Sequence, residues 1–373
     1  MGKRELVLIA LFVLVGAVVY QVTAPPLAPG QEGFSLGGVF QHVRRTIQGR
    51  RARATVESTR TEPLTAEITE VRVNLRSADL TVIGEDRQDA AFALSTSSNG
   101  TDDDDAKRLA GQTTLRIERS GAGLVVTIDF PRDGVQQAKL GMRVPRRLAL
   151  RVESKSGRLD VSEIAALTVK GNRGDSTITN IAGEVDIVQR GSALRVTRAG
   201  SLRLNAINAD ADVTGVAGVV SVDANGGQIQ LAAIAGPLDF KSRNADLRLR
   251  EAPELKAPLR VDMQGGELDI EGLRTEARID GRNTEIRVLQ DTAAPLTVYN
   301  TGDDVVVGLP PGGYTLDAIA TDGGISSDDG SIKVTGDDRE KRVAGPMRGG
   351  GPALTIRTTR GRIDLRKPAA AGK

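Results

Sequence analysis

The chain has 373 residues, with 43 Gly, six Phe, three Tyr, a single His and neither Cys nor Trp. Without Cys there is no disulfide framework, thiolate zinc site or cysteine nucleophile, and with His42 as the only imidazole a Ser-His-Asp triad or multi-histidine metal centre is all but excluded. The formal charge of +2 conceals an asymmetry, because residues 1–60 carry +5 and the rest −3; the body has no basic excess for nucleic acid, and too few aromatics for a stacking platform.

Lys3-Arg4 precede an apolar run from Leu6 to Tyr20, extended by Val22. Seventeen residues give a helix of roughly 25 Å, the short end of a bilayer span. Residues 1–23 are therefore read as a signal anchor. A cleaved signal peptide is the rival reading, with Val22-Thr23-Ala24 as its small-residue site, but Pro25-Pro26 follow at once and hinder cleavage. The leading basic pair favours an N-terminus inside and a body outside the cytoplasm, in the periplasm or at the cell surface.

Residues 24–54 combine a Pro/Gly linker with a basic amphipathic segment. Phe34, Leu36, Val39, Phe40, Val43 and Ile47 recur at helical steps, with His42, Arg44, Arg45 and Gln48 between them. Such a helix either lies on an anionic membrane or packs on the body. His42 is expected to be a surface residue rather than a ligand.

From 55 to 148 the alternation of apolar residues is strand-like but irregular: Val71/Val73/Leu75, Leu80/Val82, Ala91/Ala93, Leu115/Ile117, Val126/Ile128 and Met142/Val144. This region is expected to supply the first coils and to cover an otherwise open end. Within it, Asp102-Asp103-Asp104-Asp105 reads as the start of a short helix rather than a metal cluster, since negative charge there opposes the helix dipole favourably. Asn99-Gly100-Thr101 fits a glycosylation sequon, too common a pattern to carry weight.

From 149 to 366 the sequence repeats about ten times at a spacing mostly of 17–19 residues. Each unit has two alternate apolar residues, a polar turn, two more, and a last apolar residue three further on, as in Val220/Val222, Ile229/Leu231 and Ile234. Period-two alternation means two half-buried strands per unit. The turn holds Gly191, Asn208, Gly226, Asn244, Gly265, Asn283 and Gly302 in consecutive units, the two residue types that accept positive φ most cheaply. A second corner repeats as Ile181-Ala182-Gly183, Val216-Ala217-Gly218 and Ile234-Ala235-Gly236. Small or polar residues precede the first turn on the inward side: Ser154, Gly171, Ala206, Ala224, Ser242 and Gly281. No such unit buries its own apolar face, so units stack. The fold expected is all-β, a parallel β-solenoid; an antiparallel meander and a three-sided β-helix are the alternatives. Residues 367–373 read as a disordered tail.

One column invites chemistry. The position before the second strand holds Asp175, Asp210, Asp246, Glu267, Glu285 and Asp304, of which Asp246, Glu267, Glu285 and Asp304 fall on successive coils. They form a weak candidate edge for Ca²⁺ or a glycan; a solvated column balanced by Arg248, Arg282 and Arg287 is the favoured reading, because the Gly-rich aspartate repeats of calcium-binding β-rolls are missing. Asp210/Asp212 raise the alternative of a polysaccharide-active enzyme, although charged residues face outward on nearly every strand. No catalytic residue, metal or cofactor is expected.

Several stretches resemble the bacterial putative-adhesin family of β-strand-repeat domains, a class of unknown function. They are Ser77-Ala78-Asp79-Leu80-Thr81-Val82, Val144–Ser154 (VPRRLALRVES), Leu309–Ala318 (LPPGGYTLDA), Thr321–Ser326 (TDGGIS) and the ending Thr358–Leu365 (TTRGRIDL). The likeness spans roughly 65–366 and implies an envelope-associated β-solenoid without established enzymatic activity. The expectation is thus a membrane-anchored, extracytoplasmic interaction or structural module binding envelope polymer or another protein. A polysaccharide-active enzyme and an envelope sensor remain alternatives.

Overall fold

The computed structural model describes residues 52–131, 136–251, 255–256 and 258–367. The expected anchor, the amphipathic segment with His42 and the tail beyond Lys367 lie outside them. Among the described residues no helix is long and apolar enough to cross a membrane. Strand structure starts at Ala52, at the end of the stretch read as linker.

The described residues form two compact units. The smaller comprises Ser97–Gln112 with residues 52–56, 131 and 136. Its helix, Asp103–Gly111, begins where the acidic run predicted: Asp102 is the N-cap, its carboxylate accepts the Asp105 N–H, and Asp103, Asp104 and Asp105 fill the first turn. Asp105 in turn accepts the backbone N–H of Thr101 at 3.0 Å, and Arg108 donates to it at 2.7 Å. The run is thereby used up in capping and dipole interactions.

The larger unit, residues 57–96, 113–130 and 137–367, is an all-β solenoid. Val220–Asn225 pairs in parallel, residue for residue, with 202–207 of the preceding coil and Leu238–Arg243 of the next. Its partner strand Gln228–Ile234 does the same between Asp210–Val216 and Asp246–Arg250. Each coil thus has two strands and two corners, and the parallel register rules out the meander. Val220, Val222, Ile229, Leu231 and Ile234 are all at most 1% exposed. Burying such a side chain contributes about 1.5–3 kcal/mol, so stacking is what stabilises units too small to have cores of their own.

The chain does not stack its coils in sequence order at either end. Ahead of Ala149–Ser154 comes Glu70–Leu75, and beyond that Gly123–Asp129, so the earlier segment is held between two later ones. At the other end Ala353–Thr359 inserts between Leu296–Thr301 and Tyr314–Thr321. The second strands follow the same order, with Ile363–Arg366 between Val305–Gly308 and Ile325–Ser327. Among the first strands each outermost one carries an antiparallel neighbour: Thr114–Ser120 runs against Gly123–Asp129, and Glu340–Met347 against Tyr314–Thr321. Arg116, Glu118 and Arg119 place charge on the first closing strand, which discourages edge-to-edge pairing.

Two expectations need correction. The alternation Ala91/Ala93 marks a strand, but Ala90, Phe92 and Leu94 are its buried residues. Alanine on both faces leaves the phase open, and the bulk of Phe92 decides it. Gly171 was placed inward before the turn, yet Asn172 holds that position, fully buried opposite Gln189. Gly171 adopts φ +76° and absorbs one extra residue as a bulge between Val169 and Asn172.

Candidate functional site

The first corner is a ladder of left-handed residues. Asn208, Gly226, Asn244, Gly265, Asn283 and Gly302 have φ between +49° and +95°. Each backbone N–H along it donates to the coil above or below, as Asn208 N–H does to Asn225 O at 2.8 Å and Gly226 N–H to Arg243 O at 2.9 Å. The strict alternation of Asn and Gly has a steric cause. A Cβ on Gly226, Gly265 or Gly302 would lie 2.6, 2.7 or 2.3 Å from the side-chain oxygen of Asn208, Asn244 or Asn283. The amide of each Asn therefore fills the volume its glycine neighbour leaves vacant. At the second corner, Gly218 and Gly236 have no room for a Cβ beside Gly200 O and Gly218 O.

Directly after the first corner runs the acidic column. Register places Gln228 opposite Asp246 and Glu267 opposite Glu285, with Asp246 one step from Glu267 and Glu285 one step from Asp304. The aspartates do not point at a common centre. Asp175 Oδ1 accepts the Ala193 N–H, Asp210 the Gln228 N–H, Asp246 the Glu267 N–H and Asp304 the Arg362 N–H, at 3.2, 2.9, 3.0 and 2.7 Å. Asp79 does the same for the Arg158 N–H at 3.0 Å. Each aspartate thus ties the entry of its strand to the neighbouring coil, an arrangement resembling a helix N-cap turned sideways. Neither Arg248 nor Arg282 forms an ion pair among the described residues, and Arg287 pairs with Asp269 and Glu271 instead. Among the described residues no group of three or more His, Asp or Glu side chains is placed to hold a metal ion.

Other carboxylates are similarly committed. Asp210 bonds backbone while its neighbour Asp212 pairs with Arg195 at 3.4 Å, so the two carboxylates serve separate contacts. Asp269 is the most buried of them, its side chain only 8% exposed between Arg250 at 2.9 Å and Arg287 at 3.2 Å. Glu271 joins this group; the hydrogen bond from Arg250 holds its carboxyl below the ordinary value. Sequence reading did not single out Asp269, because its strand reads as ordinary outward alternation. Nor did it find the interior amide cluster, in which Gln189 donates to Gly174 O and Gly191 O while Ser176 and Asn172 close the network at 2.9–3.0 Å. The signal was present as three polar residues at inward positions of adjacent coils.

The opposite flank of the same corner is basic. A cavity of about 610 Å³ opens there, with Arg76, Arg116, Lys155 and Lys170 among its lining residues. Lys155 follows Ser154, whose partner in register is Leu75, so Arg76 and Lys155 sit on neighbouring coils. Arg173 follows Asn172, the partner of Gln189, which precedes Arg190. Arg116 pairs with Asp129 at 3.3 Å. Arg76, Lys155, Lys170, Arg173 and Arg190 form no ion pair among the described residues, whereas Arg72, Arg158, Arg278 and Arg366, in or just before their strands, each pair with an acid two residues away.

The Toastrack DUF4097 family model matches residues 68–366. A crystal structure described as a putative cell adhesion protein from Clostridium sporogenes is similar at 10% identity and a TM-score of 0.23, covering 84% of this chain and 100% of that one. A second, described as a putative adhesin from Bacteroides fragilis, is similar at 12% identity and a TM-score of 0.21, covering 84% and 97%. No curated protein matches the chain.

Proposed function

Since the chain belongs to the Toastrack DUF4097 family, a domain of unknown function, we propose that it is a membrane-anchored, extracytoplasmic scaffold that works by binding rather than by catalysis. The observation that carries this reading is the rigid presentation of side chains. In-register parallel strands set outward residues in columns about 4.8 Å apart, and the corner hydrogen bonds of Asp175, Asp210, Asp246 and Asp304 fix that register from coil to coil. A surface of this kind matches a partner that is itself extended and repetitive, such as an envelope polymer. Interleaving of the terminal coils supports the same use, because a scaffold under load must not fray from its ends.

Anchoring rests on the apolar run Leu6–Tyr20 and its basic flank Lys3-Arg4. The two carboxylates that suggested glycan hydrolysis, Asp210 and Asp212, are engaged by Gln228 N–H and Arg195, which favours binding over acid–base work. A reporter fused after Lys373 tests the placement. Alkaline phosphatase is expected to be active and a cytoplasm-dependent fluorescent protein dark; the opposite pair of results overturns the reading.

A further inference from the structure

The basic flank of the first corner has no structural employment, unlike the acidic flank facing it across the turn. Arg76, Lys155, Lys170, Arg173 and Arg190 are exposed, lie on successive coils or beside them, and form no ion pair among the described residues. Glu153 lies opposite Lys170 in register without forming an ion pair with it. Asp129 is taken by Arg116. Asp175 is turned to the Ala193 N–H. Positive charge is therefore in excess at this place on a body whose net charge beyond residue 60 is negative.

Two further observations point to a ligand. Three of the five side chains line the cavity of about 610 Å³, large enough for one or two sugar-sized units, with Arg116, Asp129, Glu153, Ile128 and Phe130 also on its wall, so four basic groups face two acids there. The same column then continues along the solenoid, from Arg190 through Ile207 and Asn225 to Arg243, and through Gln264 to Arg282. No acid occupies any of these positions. Arg243 and Arg282, with Lys241, border another cavity, of about 460 Å³, whose wall also carries Asp223 and Asp262 on the adjoining column.

We infer that this corner is the binding site of a linear anionic polymer, whose carboxylate or phosphate groups are met by the basic side chains from Arg76 to Arg190. The coil spacing of about 4.8 Å lets consecutive charges of a flexible chain find consecutive side chains. Each exposed contact is weak and the row is strong in sum. Guanidinium groups suit such oxyanions through paired N–H donors, and ammonium groups as point charges. The inference deepens the scaffold reading by naming the class of ligand.

The test measures binding of fluorescent polygalacturonate (carboxylate), inorganic polyphosphate and neutral dextran to the full-length chain in a non-ionic detergent at low salt. Binding of either polyanion, but not of dextran, is expected, and the one bound more tightly identifies the charged group. The triple variant Lys155→Gln, Lys170→Gln, Arg173→Gln should bind about tenfold more weakly and with a shallower salt dependence. The variant Lys155→Arg, Lys170→Arg, Arg173→Lys should bind as the parent does, which separates charge from folding. Arg203→Gln with Arg260→Gln, on the middle column of the same sheet, should leave affinity unchanged. No binding of either polyanion, or equal loss in the Arg203/Arg260 variant, overturns the site. Binding that survives while the reporter places the body in the cytoplasm overturns the proposed location and leaves the site standing.

Discussion

Asn208 places its side-chain oxygen 2.6 Å from where a Cβ on Gly226 would stand, one coil away. Both residues are left-handed, at φ +50° and +71°. The pair shows how the corner is written: an amide on one coil needs an empty site on the next. Gly226→Ala should cost about 2–3 kcal/mol, combining left-handed strain with the clash. Asn208→Gly, mild by itself, should recover the steric part of that loss in the double variant. Additive thermal shifts in the cycle would show that the two positions are not coupled.

The aspartates of the acidic column act as acceptors for backbone N–H groups, and substitution should follow that chemistry. Asp246→Ala leaves the Glu267 N–H without its 3.0 Å partner and should cost about 1–2 kcal/mol. Asp246→Asn keeps a carbonyl oxygen there and should cost less than half as much. Glu285→Gln should be close to neutral. Millimolar Ca²⁺ should leave the melting temperature of the parent unchanged; a clear rise would restore the column as a cation site.

Ala233 stands at φ +51° in the second corner, where Gly215 and Gly272 hold the corresponding position at +75° and +74°. A left-handed alanine is strained by about 1 kcal/mol. Ala233→Gly should therefore raise stability slightly despite the added freedom of the unfolded chain. Chemical denaturation midpoints decide this, and a fall of the midpoint with unchanged slope counts against the strain assignment.

Gln189 satisfies Gly174 O and Gly191 O and accepts from Ser176 inside the solenoid. Gln189→Met keeps the volume but leaves Gly191 O and the Ser176 hydroxyl without that partner, at about 1–3 kcal/mol for each group left unpaired, whereas Gly174 O keeps its bond from Asn172. Replacing Ser176 by Ala in the same chain should recover part of the loss, because it removes the hydroxyl left without its acceptor, while Asn172 keeps its bond to Gly174 O. If Gln189→Met alone is neutral by calorimetry, the cluster is not a stabilising network.

Acid should loosen the structure through depressed carboxyls. Hydrogen bonds from Arg250 and Arg72 hold Glu271 and Glu70 below their ordinary value of 4.5. Bonds from Ser331 lower Asp329 from 3.8. For a lowered folded pKa the contribution is present above the unfolded value and is lost as pH falls through the folded one. The melting temperature should thus decline once pH drops below about 4.5, and Arg250→Gln should make that decline shallower. Tyr314 works at the other limit: burial raises its hydroxyl above 10, so its contribution is present below that pH and fades as pH rises through the folded value.

Much of the architecture was legible before any coordinates. Period-two alternation located the strands, and the recurring Gly/Asn corner located the turn, because stacked coils repeat one local problem at each step. Legibility failed where a residue's partner lies on another coil. Nothing in the Asp246 sequence neighbourhood says that its carboxylate serves the N–H of Glu267, 21 residues on. The bulge at Gly171 displaced the inward phase by one residue, and the Ala-rich strand around Phe92 left its phase open because alanine marks no face. Nor could the repeat predict that Ala353–Thr359 threads between two earlier strands, since parallel pairing is chemically alike in either order.

That threading is the most direct test of the account, which depends on a ladder whose terminal coils are held on both sides. Thr297 and Asp317 each face Thr355 across it, from opposite sides. The protein contains no Cys, so paired substitutions report cleanly. On mild oxidation, Thr297→Cys with Thr355→Cys should cross-link. Thr297→Cys with Asp317→Cys should not, because two strand spacings exceed the roughly 7 Å a disulfide can bridge. The reverse pattern, with Thr297 joined to Asp317 and not to Thr355, would mean that the coils stack in sequence order and would contradict the account.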